Sequence, residues 1–398
     1  MQKEECVVLK LSCRSEIPVF RVLDILRIVN ERAAAGEDII HMEAGQPSTG
    51  APQAVLDEVA EIMRTGNMGY TAATGMPELK NRIAQHYADR YGVKIDPKRI
   101  VVTVGGSGGL MMSFLSVFDV GDRVAMAAPA YPAYRNILMA LGCEPVEIES
   151  TLEENYQPTL ARLEALPQKP QGLIIGNPSN PTGTMMNKKQ LAELTAWCQA
   201  HGVRLIADEL YHGVTYGEAA DTVLSTSDEA ISVNSFSKYF AMTGWRIGWV
   251  VCPEDVVDRV KRLSESLFVA PPTLAQHVAL KAFDHCDVLD GYVARYKTNL
   301  EILKRELPKA GITKLSKAEG AFYMYADISD LTDDSEAFCR GLLDQAGVAV
   351  TPGTDFDLTR GHQTIRMSFA GSTEDITEAC RRINVWMRGW NHREAKTA

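Results

Sequence analysis

The sequence lacks the features that mark several large classes of protein. Its eight cysteines include no Cys-x-x-Cys pair and no histidine at ligand spacing, so we interpret them as buried thiols and expect neither a disulfide framework nor a metal site. No apolar run approaches the roughly 20 residues that a membrane helix needs. The start, residues 1–5, has neither the basic residues nor the apolar core of a signal peptide. We therefore expect no membrane span and a cytoplasmic location.

Basic charge is also in short supply. The chain has 41 Lys and Arg residues against 51 Asp and Glu residues, which gives a net charge of −10 and a pI near 5.4. A nucleic acid or an anionic membrane would favour a basic face, so we expect neither as a partner. With 398 residues, 45% of them hydrophobic, the chain is typical of a globular protein of two domains.

The middle of the chain alternates short apolar runs with segments of helical periodicity. This alternation predicts an α/β fold. We interpret six runs as strands: Ile100–Val104, Arg123–Ala128, Gly172–Gly176, Val203–Ala207, Ile231–Asn234 and Arg246–Val251. In open α/β sheets, ligands bind outside the carboxyl ends of the strands. The polar residues that directly follow these runs are therefore the candidates for a functional site.

Residues suited to binding a flat, phosphorylated ligand follow the first four runs. The first run ends in the glycine loop 105–109, and a glycine loop that opens a helix suits a phosphate. Tyr131 follows the second run, where an aromatic ring can stack on a ligand. Asn180 lies after the third run, in the string Asn-Pro-Ser-Asn-Pro-Thr-Gly. Asp208 and Tyr211 follow the fourth run, and a carboxylate there can keep a ring nitrogen protonated.

The segment 235–249 follows the fifth run and is the most informative stretch of the chain. It places Lys238 beside the hydroxyls of Ser235 and Ser237 and shortly before Arg246. Hydroxyls and a guanidinium can neutralise a phosphate. A lysine amine within such a site suits a Schiff base with the aldehyde of a phosphorylated cofactor.

Ser-x-Ser-Lys followed by Gly-Trp-Arg-Ile-Gly resembles the cofactor-lysine signature of the class I/II aminotransferases. These are fold-type-I enzymes that use pyridoxal 5'-phosphate (PLP), and the resemblance extends from Gly45 to Arg366 with the main motifs in order. It implies an α/β fold in which a large domain, residues 46–285, contains a mixed, mostly parallel seven-stranded sheet. A smaller α+β domain would combine residues 1–45, including an N-terminal arm, with residues 286–398. The implied reaction moves an amino group from an L-amino acid to a 2-oxo acid.

The resemblance also implies a role for each candidate residue. Lys238 would bind PLP and then transfer protons, with Asp208 at the ring nitrogen and Tyr131 on the ring face. Asn180 and Tyr211 would contact the 3'-oxygen. The remaining cofactor contacts, at the phosphate, would be Gly106, Ser107, Gly108, Ser235, Ser237, Arg246 and Tyr70, the last from the partner subunit of a homodimer. The substrate contacts would be Gly45, Asn180 and Arg366, whose planar guanidinium suits the α-carboxylate.

The identity of the amino donor stays open at this point. One large subgroup of bacterial aspartate aminotransferases has a lysine where this chain has Ser107, so neutral, aromatic and basic donors all remain possible. Asp357 replaces the family's usual glycine after Phe356, which predicts a carboxylate near the substrate mouth and admits a cationic donor. Two other functions are alternatives: a PLP-dependent C–S β-lyase and a non-catalytic, aminotransferase-like sensor. The sensors carry a winged-helix domain, for which we expect no room before Gly45.

Overall fold

The computed structural model describes residues 9–66 and 68–394, in which helices and strands alternate. The α-helices of these ranges are Arg21–Ala34 (α1), Gln53–Thr65 (α2), Pro77–Tyr91 (α3), Gly105–Val117 (α4), Pro132–Leu141 (α5), Leu160–Glu164 (α6), Lys188–His201 (α7), Glu254–Leu267 (α8), Thr273–Ala282 (α9), Cys286–Glu306 (α10), Ser335–Ala346 (α11) and Thr373–Glu394 (α12). The strands are Ile40–His41 (β1), Ile100–Thr103 (β2), Arg123–Ala128 (β3), Glu144–Glu149 (β4), Gly172–Gly176 (β5), Arg204–Asp208 (β6), Ile231–Ser235 (β7), Gly248–Val251 (β8), Lys314–Leu315 (β9), Tyr323–Asp327 (β10), Val348–Ala349 (β11), Thr351–Pro352 (β12) and Thr364–Ser368 (β13).

Seven strands form the central sheet, in the order β2-β8-β7-β6-β5-β3-β4. Strand β8 is antiparallel to both of its neighbours, and the other strand pairs are parallel. Alternate residues of a strand belong to two separate hydrophobic clusters, as Val101 and Val102 of β2 do. The sheet is therefore buried on both faces, as parallel sheets require. The predicted mixed, mostly parallel seven-stranded sheet is confirmed.

The C-terminal part of the chain forms a second layer. A four-stranded antiparallel sheet has the order β12-β13-β10-β9, and β1 pairs with β11 in parallel. Helix α12 packs against α10 and α11, and α11 and α12 also pack against strands of this layer. The proposed division of the chain at residues 45/46 and 285/286 stays a prediction.

Several elements differ from those predicted. Strand β4 is absent from the six predicted runs because it lies at the edge of the sheet, where glutamates interrupt its apolar residues. Helices α5, α6 and α12 are further additions. The last predicted run begins at Gly248 rather than Arg246, because Arg246 has a left-handed backbone with φ of 51°.

Some of the expected absences can be compared with the described ranges. No helix there is long and apolar enough to cross a membrane. Residues 9–66 and 68–394 also contain no cluster of His, Cys, Asp and Glu that would hold a metal ion. Among the cysteines of these ranges, Cys13 is exposed, so the expectation of a buried thiol is wrong at that position. Cys6 lies outside the described residues.

Candidate active site

A cavity of about 570 Å³ opens at the carboxyl ends of the central strands. Helix α1 and the second layer of the fold complete its walls. The cavity brings together eleven of the fourteen predicted site residues: Gly45, Gly106, Ser107, Tyr131, Asn180, Asp208, Tyr211, Ser237, Lys238, Arg246 and Arg366. These residues come from distant parts of the chain, so the fold is what assembles the site.

Lys238 follows β7, and its amine lies inside the cavity. The Nζ atom donates a hydrogen bond to the carbonyl oxygen of Gly45, 2.5 Å away, and no carboxylate of the described residues forms a salt bridge with it. Burial lowers the pKa of this amine to about 8, and the nearby Arg366 acts in the same direction. A lysine with a lowered pKa is a better nucleophile and base at neutral pH than an ordinary one.

Asp208 ends β6 and presents a buried carboxylate to the same cavity. Its Oδ2 atom accepts a hydrogen bond from the Tyr134 hydroxyl, and its Oδ1 atom accepts one from the Leu210 N–H at 3.1 Å. Burial raises the pKa of Asp208 to about 6, while these hydrogen bonds and Lys238 oppose that rise. The carboxylate is thus mostly ionised at neutral pH and suited to a protonated ring nitrogen.

A further part of the cavity lining is suited to an anion. Helix α4 begins at Gly105, so the free N–H groups of its first turn lie at the cavity wall beside Ser107. The hydroxyl of Ser237 and the guanidinium of Arg246 line the same cavity. A Cβ atom added to Gly106 would lie 2.8 Å from the Leu210 side chain, so a larger residue here would displace that side chain.

Arg366, from β13, is held as a buried guanidinium. Its two terminal nitrogens donate hydrogen bonds to the Asn180 Oδ1 atom at 3.0 Å and to the Glu43 carbonyl at 2.7 Å. The rings of Tyr323 and Phe356 lie 4.4 and 4.8 Å from its central carbon. The Nε atom has no hydrogen-bond partner among the described residues. This fixed fork still has donors available for a carboxylate.

Among the residues that were not predicted from the sequence, Phe20 and Tyr323 line the cavity and Tyr134 lies next to it. Tyr134 bonds Asp208, Tyr323 bonds the Tyr211 hydroxyl at 2.8 Å, and Phe20 meets the Tyr131 ring edge-on with centroids 5.8 Å apart. The position of Tyr134, one helical turn after Tyr131, is a signal that could have identified it. Nothing in the local sequence marks Phe20 or Tyr323, because both reach the cavity through the tertiary fold.

Three predicted residues do not line the cavity. The Oγ atom of Ser235 accepts a hydrogen bond from the Ser237 N–H at 2.9 Å, so Ser235 supports the loop beneath the site. Gly108 faces Val104 within the first turns of α4. Tyr70 is 86% exposed and lies outside the cavity of this single chain.

The prediction that Asp357 places a carboxylate at the substrate mouth is wrong. The Asp357 carboxylate is buried and accepts hydrogen bonds from the N–H groups of Thr359 and Arg360, which closes a local turn. Asp357 is absent from the cavity wall, whereas its neighbour Phe356 is part of it. Asp357 therefore gives no support for an amino donor with a cationic side chain.

The polar groups that line the cavity fit PLP. An anion-binding helix terminus with an arginine suits the phosphate, the Asp208 carboxylate suits the ring nitrogen, and a buried amine suits the aldehyde. The fold and the site thus define a fold-type-I PLP enzyme. The model of the family "Aminotransferase class I and II" matches residues 37–383, and the chain belongs to this family of PLP-dependent aminotransferases.

Comparisons with individual proteins agree with this assignment. The chain is 44% identical over 382 residues to valine–pyruvate aminotransferase of Mycobacterium tuberculosis, covering 95% of this chain and 98% of that one. It is 32% identical to an aspartate aminotransferase of Thermotoga maritima, with coverage of 94% and 98%. A crystal structure of an aminotransferase from Mycobacterium tuberculosis superposes with a TM-score of 0.94 at 44% identity, covering 96% of this chain and all of that one. The protein is an aminotransferase, which moves an amino group from an amino acid to a 2-oxo acid.

Proposed function

We propose that this aminotransferase takes a neutral, apolar amino acid of about the size of valine and passes its amino group to a small 2-oxo acid such as pyruvate. The observation that carries the proposal is the apolar part of the cavity lining. This apolar wall comprises Phe20, Leu23, Leu26, Ile137 and Phe356. The 44% identity to a valine–pyruvate aminotransferase supports the same donor and acceptor.

The charges of the cavity support a neutral donor as well. Its basic side chains are Lys238, Arg246 and Arg366. Each of these has a role in our proposal: the lysine binds the cofactor, Arg246 binds the phosphate and Arg366 binds the substrate α-carboxylate. A dicarboxylic donor would bring a second carboxylate against the apolar wall without a cation to pair with it, which is costly in a buried site.

The following roles for the chain's residues are part of the proposal. When bound, PLP supplies an electron sink that makes the α-proton of the amino acid acidic. Arg366 and Asn180 orient the substrate, so that its α-proton faces the Lys238 amine, which would remove the proton from the α-carbon and deliver it to C4' of the cofactor. Asp208 keeps the ring nitrogen protonated, and Tyr131 lies on the ring.

The phosphate and the 3'-oxygen have their own partners in the proposal. Gly106, Ser107 and Gly108 bind the phosphate through the start of α4, with Ser237 and Arg246 beside them. Ser235 supports that loop from beneath. Tyr211 donates to the 3'-oxygen, and Gly45 lies over the substrate.

We also propose that the enzyme is a cytoplasmic homodimer in which Tyr70 completes the partner's phosphate site. The exposure of Tyr70 supports this, since its ring is 86% accessible in one chain. Other exposed apolar side chains accompany it on this surface, among them Met63 and Met68 on the same stretch of chain. The described cysteines are free thiols, as is usual in a reducing compartment.

The donor is tested by single-turnover spectroscopy with valine, aspartate and lysine in the absence of an acceptor. We expect the rate constant at low substrate concentration to be at least about 100-fold higher for valine, since an unpaired buried charge costs several kcal/mol. Equal or faster reaction with aspartate or lysine would refute the proposal.

A pair of variants on α1 tests the apolar wall itself. Leu26 lines the active cavity, whereas Ile28, two residues on, lines a separate cavity on the other face of α1. We expect Leu26→Arg to lower kcat/KM for valine by about tenfold or more, because it buries a charge where the apolar side chain should lie. Ile28→Arg is the matched control and should stay within about twofold of the parent enzyme.

A further inference from the structure

The paired hydroxyls of Tyr211 and Tyr323 are a feature that the roles above leave unexplained. Tyr323 is on β10, is fully buried and lines the active cavity. The hydroxyl oxygens of the two residues are 2.8 Å apart. The Arg366 guanidinium lies over the Tyr323 ring, with its central carbon 4.4 Å from the ring centroid. Tyr323 therefore contacts both Arg366, which we assign to the substrate carboxylate, and Tyr211, which we assign to the cofactor.

The direction of the hydrogen bond between the two phenols follows from counting protons. Each phenol has a single O–H to donate. If Tyr211 donates its proton to the cofactor 3'-oxygen, which rests on the proposed function, that proton is not available to Tyr323. The 2.8 Å contact is then a hydrogen bond only if Tyr323 donates to the Tyr211 oxygen.

The surroundings of Tyr323 favour it as the donor. Burial raises the pKa of Tyr323, and the Arg366 cation opposes that rise more strongly than any other group. Burial also raises the pKa of Tyr211, and its pKa lies well above the ordinary value. The more acidic phenol of a pair is the better donor. The Tyr323 hydroxyl has Tyr211 as its hydrogen-bond partner among the described residues.

We propose that Tyr323 is a positioning residue that donates to Tyr211 and thereby directs the Tyr211 proton to the 3'-oxygen of PLP. A hydrogen bond accepted by a hydroxyl strengthens the hydrogen bond which that hydroxyl donates. Tyr323 therefore increases the ability of Tyr211 to stabilise negative charge on the 3'-oxygen. In this role Tyr323 acts through Tyr211.

The test is Tyr323→Phe, which removes only the hydroxyl. The readout is the pH midpoint of the visible absorption change of the PLP-bound enzyme, measured without substrate. Above this midpoint the lysine-linked cofactor has lost the proton near its 3'-oxygen, so a donor to that oxygen lowers the midpoint. We expect Tyr323→Phe to raise the midpoint by about half a pH unit, and Tyr211→Phe by about one unit or more.

Tyr325→Phe is the matched control. Tyr325 lies on the same strand, is equally buried, and its hydroxyl is 2.6 Å from the Thr364 Oγ1 atom, outside the cavity wall. This variant loses the same kind of hydrogen bond, so it should melt at a temperature similar to that of Tyr323→Phe. We expect its midpoint to equal that of the parent enzyme, and the melting curves show whether each variant is folded.

The double variant Tyr211→Phe/Tyr323→Phe shows whether Tyr323 acts on the cofactor through Tyr211 or directly. If Tyr323 acts through Tyr211, the double variant has the midpoint of Tyr211→Phe within about 0.1 unit. A midpoint for Tyr323→Phe equal to that of the parent, or an additive shift in the double variant, overturns the inference. An unchanged midpoint in Tyr211→Phe would instead refute the role proposed for Tyr211, so the two failures are distinguishable.

Discussion

The structure predicts a large and selective effect for the substitution Arg366→Lys. The guanidinium of Arg366 is 2% exposed and is held between two aromatic rings, so its direction is set before a substrate arrives. A lysine at this position keeps the positive charge but replaces a planar fork by a single ammonium. The substitution thus tests the geometry of the clamp rather than its charge.

The magnitude follows from the hydrogen bonds of Arg366. Two of its N–H groups are used by Asn180 and by the Glu43 carbonyl, and the others, including Nε–H, remain for a carboxylate. A lysine would keep one of the two hydrogen bonds to the substrate carboxylate. Losing a hydrogen bond to a charged group costs about 1.5–3 kcal/mol. We therefore expect kcat/KM for valine to fall by about 10- to 150-fold.

The assay compares valine with isobutylamine, which has the same side chain and amine but no carboxylate. We expect Arg366→Lys to leave the slow reaction of isobutylamine within about threefold, because no contact to a carboxylate is lost. Arg99→Lys is a matched control on a different arginine, which pairs with Asp228 away from the cavity. An equal loss for both amines, or a loss for valine of less than about threefold, would refute the assignment of Arg366 to the carboxylate.

Three further predictions concern the cofactor end of the site. A mixed dimer of Tyr70→Phe and Lys238→Ala subunits should recover about half of the parent activity if Tyr70 acts on the partner's phosphate, whereas a role within its own subunit would give no recovery. Tyr134→Phe removes a hydrogen bond to the Asp208 carboxylate, and we expect the dissociation constant for PLP, measured by equilibrium dialysis, to rise about tenfold; an unchanged constant would contradict this. In the cofactor-free protein, the pKa of Lys238 is lowered from 10.5 to about 8. Between about pH 8 and pH 10.5 this lysine is protonated in the unfolded chain but mostly neutral in the folded one. The free energy of unfolding should therefore rise with pH across this window by about 3 kcal/mol. Urea titrations of a Lys238→Met variant should lack that rise, and a rise of equal size in the variant would exclude Lys238 as its source.

Most of the cavity residues that we assign to the cofactor could be predicted from the sequence because they follow strands. Asn180, Asp208 and Lys238 each follow a buried apolar run, and the parallel order of β5, β6 and β7 brings the carboxyl ends of these runs to one edge. Local sequence thus carries enough information to place them. The central sheet follows from the same runs, except for its edge strand β4.

The substrate end could not be predicted in the same way. Phe20 contacts the Tyr131 ring at the start of α1, which is held by Asp355, whose carboxylate accepts hydrogen bonds from the N–H groups of Arg21 and Val22. That contact joins residues more than 330 positions apart. Asp357 illustrates the converse, since a carboxylate predicted at the mouth is used to close a turn. Residues brought together by long-range packing leave no periodic signal in the sequence.

The position of α1 has a consequence for how this enzyme can diversify. The helix provides Val22, Leu23 and Leu26 to the cavity, and none of the residues that we assign to PLP lies on it. Mutations in this one helix can therefore reshape the compartment for the side chain while the chemical apparatus stays intact. Selection for a new amino donor could therefore act on α1 without changing the residues that we assign to PLP.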